Sequence, residues 1–191
     1  MPRSPRRLLS QSYYHVMTRG NNRNTIFRED ADYQKYLDLI VRYKEDHPFD
    51  LFHYCLMPNH THFLIKTNKA SHFSTFMKKL NLSYYYYYKK RYSWVGHFFQ
   101  GRFKSQPVGK DDYFIQCGKY IELNPVRAGF VKNLGEYLYS SYNYYAKGFN
   151  DTLITEDFVY QEFNGSLQSK QQKYQDIVTD ELIESTYTKI I

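Results

Sequence analysis

At 191 residues the chain can close one ordinary domain around a real core but cannot supply a second full one. Its formal charge of +7 points to a polyanionic partner, nucleic acid first and an acidic membrane surface second, because each phosphate neutralised by Lys or Arg releases counterion. No apolar run approaches the roughly 18 residues that span a bilayer, the basic start Met1–Leu9 lacks the apolar segment of a secretory signal, and 2 cysteines, Cys55 and Cys117, make no disulfide framework; these features argue against a membrane or stapled secreted protein, and a cytoplasmic location with both thiols reduced and buried is expected.

Arg3, Arg6 and Arg7 stand in a proline- and serine-rich context that disfavours a fixed helix and suits a flexible DNA-binding arm. Ser12 to Thr18, rich in tyrosine and β-branched or apolar residues, reads as a strand that ends in the basic, turn-rich run Arg19-Gly20-Asn21-Asn22-Arg23-Asn24. From Ala31 to about Asp46, Tyr33, Tyr36, Leu37, Ile40, Val41 and Tyr43 follow helical spacing, and His47-Pro48 closes the helix. Phe49–Met57 and Thr61–Thr67 then read as two strands of an antiparallel hairpin joined at Pro58-Asn59.

Ser71 to about Arg91 places Phe73, Phe76, Met77, Leu80 and Tyr84 onwards at spacings of three and four, which predicts a second helix, basic through Lys78, Lys79, Lys89, Lys90 and Arg91. Five of the chain's 22 tyrosines run from Tyr84 to Tyr88. Their rings are candidates both for half-buried packing and for stacking unpaired bases, worth about 1–3 kcal/mol per base. His97 to Val108 suits a fourth strand bent at Gly101, and Asp111-Asp112 starts a third helix with acid groups at its positive end. The order β-α-β-β-α-β-α gives an α+β fold whose first six elements have the ferredoxin-like order, four antiparallel strands with two helices on one face.

Pro125 lies inside that third helix. It cannot donate to Ile121 and it disfavours the helical region for Asn124, so a kink or a stop is expected there, with Asn124 capping a short turn closed by Gly129. Past Tyr142 the pattern weakens, with a boundary at Lys147–Asp151. Residues 1–150 are therefore read as the catalytic domain and 151–191 as a helical extension, with helices over Thr155–Phe163, capped by Thr155, and Gln171–Ile183.

His60 and His62 sit one residue apart in a strand, so their imidazoles share a face and can point at one metal ion. Two neutral imidazoles and one amide oxygen, offered by Asn124, leave positions open for phosphate oxygens, which suits Mg²⁺ or Mn²⁺ in a nuclease better than a closed zinc site. Tyr120, four residues before Asn124, is the candidate nucleophile. At pH 7 only about one phenol in a thousand is ionised, a handicap of roughly 4 kcal/mol that a nearby cation must relieve; Lys119 and Lys104 are candidates beside the metal.

Five ordered blocks carry a resemblance: Tyr14-His15-Val16-Met17-Thr18-Arg19-Gly20-Asn21, Tyr54-Cys55-Leu56-Met57-Pro58-Asn59-His60-Thr61-His62, Phe99-Gln100-Gly101-Arg102-Phe103-Lys104, Tyr120-Ile121-Glu122-Leu123-Asn124-Pro125-Val126-Arg127-Ala128-Gly129 and Ser140-Ser141-Tyr142. From Tyr13 to about Tyr145 the chain resembles the single-tyrosine HUH transposases of small insertion sequences, especially the REP-associated tyrosine transposase branch. The family's histidine-hydrophobic-histidine motif falls on His60 and His62, with Thr61 a departure between them, and its nucleophile falls on Tyr120. The resemblance implies cleavage of one DNA strand through a 5′-phosphotyrosine link, a divalent metal and no nucleotide cofactor. It also implies REP-like single-stranded DNA hairpins as substrate and either a monomer or a homodimer. Arg19, Arg23, Arg102 and Lys104 are candidate DNA contacts. A noncatalytic DNA- or RNA-binding module is the alternative. A replication initiator or plasmid relaxase would share the histidine pair but not the other blocks.

Overall fold

The computed structural model describes residues 8–109 and 112–183; the expected arginine arm and Asp111 lie outside the described residues. Strands β1 (Tyr13–Arg19), β2 (Phe49–Met57), β3 (His60–Thr67) and β4 (Lys104–Pro107) form one antiparallel sheet in the order β2-β3-β1-β4. This is the ferredoxin-like arrangement expected from the element order.

Two helices, α1 (Asp30–Asp46) and α2 (Ala70–Tyr92), cover one face of the sheet, where Val16, Phe63 and Ile65 meet Tyr36, Ile40, Phe76 and Leu80 in one buried cluster. The third helix, α3 (Asp112–Arg127), covers the opposite face, where Cys55, Leu64, Phe114, Cys117 and Ile121 form a second cluster. With helices on both sides, β2 and β3 are buried almost continuously rather than alternately, as expected of strands buried on both faces. Strand β1 alternates between buried and half-buried, so the row Tyr13, His15, Met17, Arg19 on the α3 side remains partly open. A bulge between Leu51 and His53 shifts the β2 register, and it lets Phe52 and His53 both meet α3-side partners.

The fourth strand is shorter than the expected His97–Val108. Gly101 takes φ 87°, a conformation open to glycine, and the residues before it leave the sheet so that Phe98 can pack on Tyr88, ring centroids 4.4 Å apart. Burial of that ring outweighs continuing a ladder at an exposed edge. Within the tyrosine run, Tyr84 and Tyr88 are fully buried and anchor α2 to the chain after β1, donating to the carbonyls of Ile26 at 2.5 Å and Thr25 at 2.9 Å. Tyr87 and Tyr92 donate to the buried Asp32 carboxylate, which also caps α1 reciprocally with Glu29. Most of this run therefore packs, and only Tyr86 is largely exposed.

Helix α3 does not stop at Pro125 but continues to Arg127. The carbonyl of Ile121, left without its usual donor by the proline ring, accepts from Asn124 Nδ2 at 3.3 Å, and the same nitrogen donates to Tyr120 O at 2.8 Å. Asn124 thus supplies locally what Pro125 withholds. Replacing Asn124 with Ala should lower stability by about 1 kcal/mol without any metal present, measured by urea unfolding in chelator; no change would mean that water serves these carbonyls equally well.

Beyond the sheet, α4 (Tyr142–Lys147), not anticipated from sequence, packs with α5 (Phe158–Glu162) and α6 (Leu167–Ile183) around Leu123 of α3, through Tyr145, Tyr160, Tyr174 and Val178. The cap of α5 is Asp157, whose carboxylate accepts from Val159 N at 2.8 Å, rather than Thr155. Both cysteines are buried and free, and burial pushes the Cys117 thiol up to about 12. Among the described residues no helix is long and apolar enough to cross a membrane.

Candidate active site

Strand geometry and one helix bring four rings together. His60 and His62 lie on one side of β3, ring centroids 4.7 Å apart. His15 of β1 lies beside them, its Nε2 2.8 Å from His62 Nδ1. Tyr120 comes down from α3 with its ring 5.8 Å from that of His62 and 5.9 Å from that of His15. The phenol and the histidine pair expected from sequence thus meet within one chain, and Tyr120 is half-buried rather than sealed.

The hydrogen bonds of the imidazoles leave specific nitrogens for a ligand. His60 Nδ1 is 2.5 Å from Asn59 Oδ1; an amide oxygen only accepts, so His60 Nδ1 carries the proton and Nε2 keeps the lone pair. His62 Nε2 is buried with no hydrogen-bond partner, an arrangement that is costly unless something else occupies that lone pair. Burial and the nearby Arg19 charge hold His60 down at about 4. Burial, then the neighbouring His15 and His60, holds His62 well below the ordinary imidazole value, and burial holds His15 at about 4. All three are neutral at pH 7, the form a metal requires.

Two neutral imidazoles can hold a divalent cation while leaving most of its positions open. Among the described residues no group of three or more His, Cys, Asp or Glu side chains assembles a closed cage. The protein offers two imidazole nitrogens. The Asn124 side chain bonds back onto its own helix through its nitrogen.

Burial raises the Tyr120 phenol, and the Arg127 guanidinium, 5.7 Å from its ring, opposes that rise. Arg19 lies opposite His60 across the β1–β3 pair, and its Nε is buried without a hydrogen-bond partner. Arg23 is exposed in the turn after β1, at φ 59°, and Arg102 and Lys104 are exposed near the start of β4. Lys119 lines a cavity of about 200 Å³ with His53, Asp157 and Tyr174.

Two groups escaped the sequence reading. One is His15, whose signal was present: it alternates on β1 with Tyr13 and Met17 and so shares the face that β3 presents through His60 and His62. The other is a buried network behind α3. His53 Nδ1 is 3.0 Å from Glu122 Oε1 and its Nε2 is 3.1 Å from Asp157 Oδ2. Ser141 and Tyr174 hydroxyls donate to Glu122 at 2.6 and 2.7 Å. No local pattern announces partners 69 and 104 residues apart.

The sequence pattern of the family described as "Transposase IS200 like" matches residues 8–124, which covers the sheet, α1, α2 and most of α3. Among solved structures, a REP-associated tyrosine transposase bound to a REP hairpin superposes with a TM-score of 0.65 at 19% identity, over 87% of this chain and 96% of that one. A candidate transposase from Deinococcus radiodurans R1 gives a TM-score of 0.43 at 16% identity over 63% of this chain and 96% of that one. A bacterial tRNA(His) guanylyltransferase-like protein with GTP gives 0.39 at 13% identity, over 66% and 71%. The last two scores are too low to indicate a common fold. No curated protein matches the chain.

Proposed function

The chain belongs to the IS200-like transposase family, and from that premise we propose that it is a divalent-metal-dependent single-strand DNA endonuclease and strand transferase of the REP-associated branch, acting on DNA hairpins through residues 1–150. The observation that carries this reading is the meeting of the Tyr120 ring with His62 at 5.8 Å in one chain, beside a buried imidazole nitrogen with no partner.

His60 and His62 would hold Mg²⁺ or Mn²⁺ through Nε2, with Asn124 Oδ1 as the third protein ligand. When bound, the cation polarises a non-bridging oxygen of the scissile phosphate and offsets charge in the transition state. Tyr120 Oη attacks phosphorus in line with the 3′-oxygen; the Oη–P bond forms as the P–O3′ bond breaks, the phenol proton passes to solvent and the 3′-oxygen gains one. A 5′-phosphotyrosine and a 3′-hydroxyl result. Because the ester energy is kept in the link, a 3′-hydroxyl can reverse the step and join strands with no nucleotide cofactor. Arg19, opposite His60 across the β1–β3 pair, would meet a phosphate oxygen through its guanidinium, while Arg23, Arg102 and Lys104 would extend the basic surface to the DNA backbone. Since one chain holds every group named, a monomer suffices and a homodimer is compatible. The test is a covalent protein–DNA adduct, detected by denaturing electrophoresis after incubation of a REP-like hairpin with the protein and Mn²⁺.

His15 would act through His62. For His62 Nε2 to present its lone pair, Nδ1 must carry the proton and donate to His15 Nε2 across the 2.8 Å contact. Supporting partners of this kind are typically worth ten- to a hundredfold in metal affinity. His15→Ala should therefore weaken Mn²⁺ binding by roughly that factor in titration calorimetry, and unchanged affinity would show that His62 needs no such partner.

A further inference from the structure

Between α2 and the segment leading into β4 lies a cavity of about 630 Å³, within the roughly 300–1,000 Å³ usual for ligand pockets. Its walls are aromatic and apolar, formed by Tyr85, Phe99 and Leu82, and Leu82 is 47% exposed. Lys78 and Arg102 add positive charge, and none of the lining residues is acidic. Asn81 also lines it, with a side-chain oxygen that is shielded from water and accepts no hydrogen bond. Aromatic walls, cationic side chains and an amide without a donor match a nucleobase joined to a phosphate.

The cavity is also tied to the histidine pair. Gly20 bridges Phe99, Asn21 N donates to Phe98 O at 2.8 Å and Gln100 N donates to Arg19 O at 2.8 Å. Two of these residues, Arg19 and Gly20, also border the turn that carries His60, for Arg19 lies opposite His60 and Gly20 N donates to Asn59 O at 2.9 Å. One short segment therefore sets both the cavity wall and the turn that carries His60. We propose that this cavity receives one unpaired base of the single-stranded DNA whose scissile phosphate lies at His60 and His62, so that base insertion positions the strand for cleavage; the inference rests on the function proposed above.

The test uses fluorescence polarisation of labelled twelve-nucleotide strands of dA, of dC, of dT and of dT with one central dG, against a wholly abasic strand of the same length. At least one base-bearing strand should bind roughly five- to a hundredfold more tightly than the abasic one. Tyr85→Leu, which removes the stacking face, and Leu82→Asp, which sets a negative charge in an exposed part of the wall, should each shrink that gap to within about twofold while melting as the parent does. Equal binding of the abasic strand, or a gap that survives in both variants, would overturn the proposal. So would tighter binding of an RNA strand, or a dimer in size-exclusion chromatography that Leu82→Asp dissociates, which would give the cavity to a second copy of the chain. Adduct formation with a REP-like hairpin separates the two readings: a gap without adduct removes the catalytic reading and with it the positioning role, leaving a cavity that binds a base, whereas adduct without a gap removes only the base pocket.

Discussion

Tyr120→Phe is expected to eliminate the covalent protein–DNA adduct altogether, while hairpin affinity stays within about fivefold, the tolerance expected when about 1 kcal/mol at most is at stake. The substitution removes one oxygen and keeps the ring that packs edge-on against His15 and His62 at 5.9 and 5.8 Å, so the site retains its shape. The loss should be complete rather than graded, because in the proposed reaction the hydroxyl is the atom that becomes esterified. Phosphopeptide mapping of the parent adduct should place the label on Tyr120. An adduct of undiminished yield in the variant would reassign the nucleophile, and absence of adduct from parent and variant alike, with salt-sensitive binding retained, would favour the noncatalytic module.

The largest effect on stability is expected at Glu122. Its carboxylate is fully buried and takes hydrogen bonds from Ser141 and Tyr174 as well as from His53. Removing one partner of such a network leaves the others buried and uncompensated, at a cost of about 3–5 kcal/mol. For a chain of this size Glu122→Ala should lower the melting temperature by roughly 6–20 °C. Adduct formation should fall with it, since Glu122 lies two residues beyond Tyr120 on the helix that presents the phenol.

The same network sets a pH dependence. Burial alone would depress His53, but the hydrogen bonds and charges of Asp157 and Glu122 outweigh it and raise the imidazole to about 9 from 6.5. A value raised on folding means that the folded state holds the proton more tightly. The stabilisation is therefore fully present below pH 6.5 and is lost as pH rises through 9, an effect on the order of 3 kcal/mol. Urea unfolding of the parent should show this decline between pH 6.5 and 9, and His53→Gln should flatten it. A parent equally stable at both ends of that interval would mean that His53 is neutral in the folded protein.

What could be read along the chain follows from short-range physics. Alternation along β1 and helical spacing along α1 and α2 specify which residues face a core, and the hairpin at Pro58-Asn59 specifies the register that puts His60 and His62 on one side. The order of elements then leaves few ways to close a sheet, and β2-β3-β1-β4 is the one adopted. The errors lie where a local preference competes with burial. Phe98 leaves the expected fourth strand to pack on α2, and α3 passes through Pro125 because the Asn124 amide serves the Ile121 carbonyl that the proline neglects.

The sequence by itself determined the sheet, its flanking helices and the residue types of the candidate site, because periodicity and motif spacing act over a few residues. Only the tertiary structure decided that Tyr120 faces the histidines of its own chain, that His15 stands behind His62, and that His53, Glu122 and Asp157 join α3 to β2 and the C-terminal helices. Those meetings depend on which face of the sheet each helix covers and on a bulge that turns His53 toward α3. Packing of the whole chain settles such choices, since it alone weighs burial of one side chain against the hydrogen bonds of another far away in sequence.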